Sequence, residues 1–166
     1  MTLASVYVSL GSNIQPAKHI RIAVRELHKH FGELSISRVF ESEAVGFDGE
    51  NFYNLVVGFN SELPVADIDH IIHNIEDEYG RDRSQPRFSA RTLDIDLLLY
   101  DEAIIDAGRL QLPRDEITKN AFVLWPLAEI APQLKHPVIK QTFNAMWEAF
   151  DKTDQALWPI AFDWAE

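Results

Sequence analysis

Apolar side chains follow two different periods along the first hundred residues. Four segments have the alternation or the β-prone composition that is typical of strands, and they are residues 4–10, 34–43, 52–59 and 92–100. Two segments carry apolar residues at spacings of three and four, begin at a proline and end at a glycine, as amphipathic helices do. These are Pro16–Gly32 and Pro64–Gly80. The sequence therefore predicts the order β-α-β-β-α-β.

The rest of the chain adds shorter elements to this order. A strand is predicted near 108–112, a buried helix at 122–132 and another helix at 141–151. The whole order is typical of a ferredoxin-like layout, in which two helices pack on an antiparallel sheet. The predicted fold class is α+β, a ferredoxin-like βαββαβ sheet with additional strands and C-terminal helices.

The length of 166 residues favours a single domain that spans residues 1–166. The tail, residues 152–166, contains Trp158 and Trp164. Such aromatic side chains more often cover the edge of a core than bind a ligand. We therefore expect the tail to pack on the domain through these tryptophans, away from any functional site.

Two aspartates interrupt the apolar strand RTLDIDLLLY at 91–100. Alternation places Asp94 and Asp96 on one face, together with Leu98 and Tyr100, and roughly 6–7 Å apart. The other face receives Leu93, Ile95, Leu97 and Leu99. At an effective dielectric constant of about 20, the two carboxylates repel by roughly 3 kcal/mol. Solvation at a wet edge, a divalent metal or an arginine could each offset this repulsion.

The loop before the aspartates, GRDRSQPRFSAR at 80–91, is rich in arginine and has no lysine. Its arginines are Arg81, Arg83, Arg87 and Arg91. A solvated run of charge is the ordinary interpretation. However, the planar guanidinium suits phosphate oxygens, and Mg²⁺ commonly bridges carboxylates and nucleotide phosphates. The loop and strand together suggest metal-assisted phosphorus chemistry, although they name no single reaction and the chain has neither a Walker motif nor GxGxxG.

The composition narrows the possible partners and compartments. The net charge of −11 argues against a general nucleic-acid binder. The chain has no cysteine, which fits a reducing compartment, and no apolar run approaches the length of a membrane span. The N-terminal stretch lacks the basic leader of a signal peptide. We therefore expect a cytoplasmic protein that binds neither nucleic acid nor membrane, and nothing in the sequence demands more than a monomer.

Several motifs occur together in one order along the chain. They are SLGSN (9–13), FYN (52–54), IEDEYGRDR (75–83), ARTLDIDLLLY (90–100), LP (112–113) and AFVLWPLAEIAP (121–132). In these motifs the chain resembles the 6-hydroxymethyl-7,8-dihydropterin pyrophosphokinases of folate biosynthesis, over roughly residues 5–150. The resemblance implies an enzyme that transfers pyrophosphate from ATP to the hydroxymethyl group of a reduced pterin and releases AMP.

The resemblance also assigns roles on the nucleotide side. Asp94 and Asp96 match the ligands of two Mg²⁺ ions that accompany ATP. Arg81 and Arg83 match a mobile catalytic loop, and Arg91 matches a phosphate contact with a part in catalysis. The nucleotide-binding candidates are Glu76, Arg91, Arg109 and Arg114.

On the pterin side, the resemblance assigns Phe52 and Phe122 to an aromatic sandwich and Asn54 to the polar edge of the ring. Ser42 and Val45 belong to a loop whose backbone contacts the same edge. A flat polar heterocycle suits an apolar slot with a few fixed hydrogen-bonding groups. Without the resemblance, core packing would be the simpler interpretation of the two phenylalanines.

The stretch LPRDEITKNAF at 112–122 departs from the family pattern. Arg114 stands where the family usually has histidine, and Asn120 stands where it usually has arginine, next to Lys119. Asp115 and Glu116 would repel a phosphate. A divergent paralogue acting on another pterin alcohol, a non-catalytic pterin or nucleotide binder, and a metal-dependent phosphohydrolase are therefore the alternatives.

Overall fold

The computed structural model of the chain describes residues 3–43, 51–79 and 93–165. The strands are β1 (Ala4–Ser12), β2 (Ser35–Ile36), β3 (Val39–Ser42), β4 (Phe52–Ser61), β5 (Asp94–Tyr100), β6 (Ile105–Ala107), β7 (Leu110–Leu112) and β8 (Leu157–Ile160). The helices are α1 (Pro16–Phe31), α2 (Val65–Glu78), α3 (Ala121–Ile130) and α4 (Phe143–Ala149), with a 3₁₀ turn at Asp115–Thr118. None of the helices in these ranges is long and apolar enough to span a membrane.

The main sheet has the strand order β5-β1-β4-β3-β8, and β2 also pairs with β4. Its strands are antiparallel, and β6 and β7 form a separate hairpin. The prediction of an α+β, ferredoxin-like βαββαβ sheet with additional strands and C-terminal helices is confirmed. The strand predicted at 34–43 is divided into β2 and β3, because the side chain of Ser37 accepts a hydrogen bond from the backbone N–H of Val56.

Helices α1 and α2 cover one face of the sheet, which we call the first face. Their apolar stripes meet alternate residues of β1, β4 and β5, as the two periods predict. The fully or almost fully buried apolar side chains of the two helices are Ile20, Ala23, Leu27, Ile68, Ile72 and Ile75. Burying each large aliphatic side chain stabilises the fold by about 1.5–3 kcal/mol.

Helices α3 and α4 lie against the opposite face, which we call the second face. Val56, Leu98 and Leu99 of the sheet pack there against Leu124 and Leu127 of α3. Helix α3 is apolar around most of its circumference, as expected for a helix that is buried on several sides. An aromatic stack extends this packing, because the ring of Trp125 lies 4.6 Å from that of Phe40 and 5.0 Å from that of Trp147.

The alternation predicted for β5 is wrong at its C-terminal end. Leu97 pairs with Val8 and Leu99 pairs with Tyr7, so Leu98 is an extra residue in the ladder, a β-bulge. The bulge moves Leu99 to the second face with Leu98. It also moves Tyr100 to the first face, where the hydroxyl donates to the carbonyl of Leu63 at 2.8 Å.

The tail joins the sheet through its backbone. Strand β8 pairs with β3, and Leu157 lies opposite Ser42. Trp158 and Trp164 are 38% and 42% exposed, so the tryptophans are not the main anchors of the tail. The expectation that the tail stays away from the candidate site is wrong, because Ser42 is one of the candidate substrate-binding residues.

Candidate active site

The register of the sheet brings the predicted metal and pterin residues into neighbouring rows on the second face. Asp94 pairs with Gly11, which pairs with Asn54 on its other side. Asp96 lies in the next row, opposite Ser9. Because paired residues share a face, Asp94, Asp96 and Asn54 point to the same side, and the backbones of Asp94 and Asn54 are about 10 Å apart across two strand spacings.

The two aspartates fit a magnesium site that is completed by a substrate. Both side chains are partly exposed, and that of Asp96 is 33% exposed. In the described ranges, no group of three or more histidine or acidic side chains is arranged to hold a metal. Mg²⁺ is usually held by one or two carboxylates together with substrate phosphates, so a pair of carboxylates is sufficient for a nucleotide-bound ion.

Glu76 supports the strand that carries the aspartates. It lies near the end of α2, is 1% exposed, and its Oε2 atom accepts the backbone N–H of Ile95 at 2.8 Å. Ile95 is the residue between Asp94 and Asp96. Glu76, which the sequence assigns to nucleotide binding, therefore fixes the backbone of β5 between Asp94 and Asp96.

Arg114 lies beside the aspartates and is surrounded by acidic groups. Its Nη2 atom is 3.4 Å from Oδ1 of Asp96 and 2.9 Å from Oε1 of Glu116. Burial by itself would lower the pKa of Arg114, but Asp96, Glu116 and Glu76 outweigh it and raise the pKa. The backbone N–H of Arg114 donates to the carbonyl of the bulged residue Leu98 at 3.0 Å, so the bulge helps to place this arginine.

The acidic residues that depart from the family pattern have cationic partners within the same stretch. Oδ2 of Asp115 is 2.6 Å from Nζ of Lys119, and Glu116 is paired with Arg114. The expected repulsion of phosphate by Asp115 and Glu116 is therefore offset locally.

Asn54 is held on the second face by two neighbours. It is 7% exposed, and its Nδ2 atom donates to the hydroxyl of Ser42 at 3.3 Å. Its Oδ1 atom lies over Gly11, where an added Cβ would be only 2.9 Å away. Glycine at position 11 of the SLGSN motif therefore leaves the space that this amide needs.

Phe52 and Ser42 occupy the row beyond Asn54, because they are paired with each other across β4 and β3. Phe122 is the second residue of α3 and is partly buried against the second-face core. The predicted pterin residues thus come from the sheet and from the helix that covers it.

Arg109 lies in the turn between β6 and β7 and is exposed. No contact described in the structure joins it to Arg114 or to the aspartates. Four predicted residues lie outside the described residues, and they are Val45, Arg81, Arg83 and Arg91.

The sequence interpretation missed three contributors to this site. Gly11 receives a role only as part of the SLGSN motif, Glu116 is expected only to repel a phosphate, and Gln155, whose side chain accepts the N–H of Ala121 beside Phe122, receives none. The SLGSN motif was a usable signal for Gly11. The other two depend on contacts that no local pattern reveals.

A family model described as 7,8-dihydro-6-hydroxymethylpterin-pyrophosphokinase (HPPK) matches residues 7–132. The chain belongs to this family. The matched residues include Asp94, Asp96 and Asn54 of the sheet, together with Arg114 and Phe122. The match ends before α4 and the tail.

Curated members of the HPPK family are similar over most of their length. The chain is 33% identical to 2-amino-4-hydroxy-6-hydroxymethyldihydropteridine pyrophosphokinase of Aquifex aeolicus, over 84% of this chain and 88% of the relative. It is 36% identical to the protein of the same name from Pseudomonas aeruginosa, over 80% and 83% of the two chains. For the protein from Porphyromonas gingivalis the identity is 38%, over 81% and 95%.

Solved HPPK structures share the fold. The crystal structure of Plasmodium falciparum HPPK-DHPS wild type with pteroate aligns with a TM-score of 0.72 at 13% identity. The alignment covers 89% of this chain and 42% of the other, so the chain spans less than half of that protein.

Proposed function

We propose that the protein transfers pyrophosphate from ATP to the hydroxymethyl group of 6-hydroxymethyl-7,8-dihydropterin in folate biosynthesis. The hydroxymethyl oxygen forms a bond to the β-phosphorus of ATP, and the bond from that phosphorus to the oxygen of the leaving AMP breaks. The hydroxyl proton is lost, and the products are AMP and the pterin pyrophosphate. Such a reaction depends mainly on positioning and charge neutralisation rather than on a strong protein base.

The observation that carries this proposal is the common face of Asp94, Asp96 and Asn54. A metal–phosphate site and a pterin site must be adjacent if one substrate is to attack the other. The pairing of Asp94 with Gly11 and of Gly11 with Asn54 provides this adjacency across two strand spacings, about 10 Å.

Asp94 and Asp96 would hold two Mg²⁺ ions together with the ATP phosphates. The ions would neutralise the charge that develops on the phosphate oxygens during transfer. Glu76 keeps the strand in place by accepting the N–H of Ile95. Arg114, already beside Asp96, is available to contact a phosphate or to balance the acidic cluster.

The pterin would bind between Phe52 and Phe122 with its polar edge at Asn54. The amide of Asn54 offers both a donor and an acceptor to this edge, and Ser42 orients it. We assign backbone contacts to Ser42 and Val45. The loop arginines Arg81 and Arg83, with Arg91 and Arg109, complete our assignment on the nucleotide side.

We propose that the protein acts as a monomer. The substrates ATP and a reduced pterin are those of a cytoplasmic folate enzyme, and we propose that compartment.

Product analysis tests the proposed function. The protein is incubated with ATP, MgCl₂ and 6-hydroxymethyl-7,8-dihydropterin, and the products are separated by anion-exchange chromatography. We expect AMP and the pterin pyrophosphate in equal amounts. ADP as the product would contradict pyrophosphoryl transfer, phosphate release without pterin would indicate a phosphohydrolase, and tight pterin binding without turnover would identify a non-catalytic binder.

Chelation tests the metal requirement separately. Excess EDTA should stop product formation, and added MgCl₂ should restore it. Product formation that continues at the same rate in EDTA would contradict the assignment of Asp94 and Asp96 as metal ligands.

A further inference from the structure

The tail is fastened to the start of α3 by one side chain. Oε1 of Gln155 accepts the backbone N–H of Ala121 at 2.8 Å, and Nε2 of the same amide donates to the carbonyl of Lys119 at 2.8 Å. Both distances are those of well-formed hydrogen bonds. One glutamine thus holds the chain on either side of Asn120.

These contacts supply a helix cap that the local sequence does not provide. Asn120 is the N-cap residue of α3, but its side chain caps no backbone N–H. The first N–H groups of a helix have no partner within the helix and need one from elsewhere. Gln155 provides one for Ala121, and the next residue, Phe122, carries the ring assigned to one wall of the pterin slot.

The same short stretch of tail also reaches the opposite wall. Leu157, two residues after Gln155, pairs with Ser42 in β8 and β3. Ser42 in turn pairs with Phe52, whose ring is assigned to the second wall, and its hydroxyl accepts from Asn54. Residues 155–157 therefore connect the helix that carries Phe122 to the strands that carry Phe52 and Asn54.

We propose that Gln155 is a positioning residue for the pterin slot, and that the tail fixes the separation of its two walls. This inference rests on the proposed function. A stacked ring binds best when both walls already stand at the correct distance, because pre-organisation lowers the cost of ordering them on binding. The family match ends at residue 132, so Gln155 and Leu157 lie outside the matched residues.

Three variants test the proposal. Gln155→Ala removes both hydrogen bonds. Gln155→Glu keeps the acceptor for the N–H of Ala121 but loses the donor to Lys119. Gln141→Ala makes the same truncation at an exposed glutamine in the turn before α4 and serves as the matched control.

The measurements are the Kd of 6-hydroxymethylpterin, followed by its fluorescence, and the Kd of a non-hydrolysable ATP analogue with Mg²⁺. For Gln155→Ala we expect pterin affinity to fall by about 3- to 10-fold, the effect of about one net hydrogen bond. Gln155→Glu should show a smaller loss. Gln141→Ala should match the wild type, and the affinity for the ATP analogue should be unchanged in all three variants.

A role confined to stability would give a different pattern. If Gln155→Ala lowers the melting temperature but leaves pterin affinity unchanged, the positioning role is overturned. An equal loss of affinity for pterin and for the ATP analogue would overturn it as well. If Gln155→Ala does not fold, Gln155→Glu decides, and wild-type pterin affinity in that variant would contradict the proposal.

Failure of the proposed function would be recognised separately. A wild-type protein that does not bind 6-hydroxymethylpterin would reject both the function and this inference, whereas pterin binding without turnover would reject the function alone and leave this inference to the variants. If the wild type binds and the variants bind equally well, only the inference fails.

Discussion

The two faces of the central sheet are built from the same strands but serve different purposes. On the first face, alternate residues of β1 and β4 meet α1 and α2 in an apolar core. On the second face, the intervening residues are apolar beneath α3 but become polar toward the row of Asp94, Gly11 and Asn54. The first face of β1, β4 and β5 therefore contributes only to the core, whereas their second face contributes both to a core beneath α3 and, at its polar end, to the candidate site.

Because of this division, we expect that stability and activity can be varied separately. A change on the first face should lower the free energy of unfolding with little effect on chemistry. A change at the polar end of the second face should lower activity or affinity with little effect on stability. The experiments below either sharpen this contrast or remove it.

The largest effect on activity is expected for Asp96→Asn. The substitution keeps the shape of the side chain but removes a charge assigned to the metal site, so turnover should fall by about 10²- to 10³-fold, as for the loss of one group that stabilises the transition state. Steady-state assays at saturating ATP and pterin measure the loss. The affinity for 6-hydroxymethylpterin should stay near that of the wild type, because Asn54 and the aromatic rings are untouched.

Asp67→Asn is the matched control for this experiment. Asp67 is an exposed aspartate in the first turn of α2, a helix of the first face. Its substitution should leave turnover unchanged. Near-normal turnover of Asp96→Asn at limiting Mg²⁺ would remove Asp96 from the metal site.

The largest effect on stability is expected for Ile72→Ala. Ile72 is 1% exposed in the first-face core, and such truncations cost about 2–5 kcal/mol of unfolding free energy. Urea unfolding followed by circular dichroism measures this loss. Turnover of the folded variant at low temperature should be close to that of the wild type, and a large fall in turnover would show that the two faces are coupled.

A smaller effect is expected for Gly11→Ala. The new Cβ would stand 2.9 Å from Oδ1 of Asn54, so the amide must move. Pterin affinity should fall by about 3- to 10-fold, because a hydrogen-bonding group is displaced. Fluorescence titration with 6-hydroxymethylpterin measures the change.

A double-mutant cycle shows whether Gly11 acts through Asn54. In an Asn54→Ala background, Gly11→Ala should have no further effect on pterin affinity. Additive losses in the double variant would mean that glycine at position 11 serves the pterin site in some other way.

The smallest effect is expected at Arg114, which lies beside Asp96 and which we expect to compete with a cation for that carboxylate. Both side chains are about one-third exposed, so their ion pair is worth only about 0.2–1 kcal/mol. Arg114→Ala should therefore strengthen the binding of Mn²⁺, without nucleotide, by about 1.5- to 5-fold. Titration followed by electron paramagnetic resonance measures this affinity.

Two further variants control for the change in charge. Arg114→Ala with Glu116→Gln leaves the net charge of the protein unchanged and should still show the gain. Arg38→Ala breaks a similar ion pair, with Glu129, and should have no effect on Mn²⁺ binding. Weaker metal binding in Arg114→Ala would mean that the arginine supports the site rather than competes for it.

The first face could be predicted almost completely from the sequence. The spacing of Ile68, Ile72 and Ile75 specifies one buried stripe, and alternation specifies which residues of β1 meet it. The predicted element order is confirmed for the same reason. These signals are local and repeat over many residues.

The second face could be predicted only in part. Alternation places Asp94 and Asp96 together, but the run Leu97-Leu98-Leu99 satisfies either face equally well, so the bulge leaves no trace in the pattern. The adjacency of Asp94 and Asn54 depends on the pairing of three strands. The contact of Gln155 with Ala121 joins residues 34 positions apart, and no periodicity encodes such a contact.

The contact between Glu76 and Ile95 also bears on how the protein behaves in a concentrated solution. Strand β5 lies at an edge of the sheet, and unpaired backbone groups at an edge can recruit a strand from another molecule. In β5, the N–H of Ile95 donates to the carboxylate of Glu76, and the carbonyl of Leu98 accepts from the N–H of Arg114. The groups that place the candidate site thus also satisfy two backbone groups on the edge strand that carries its two aspartates, and we expect them to disfavour edge-to-edge pairing there.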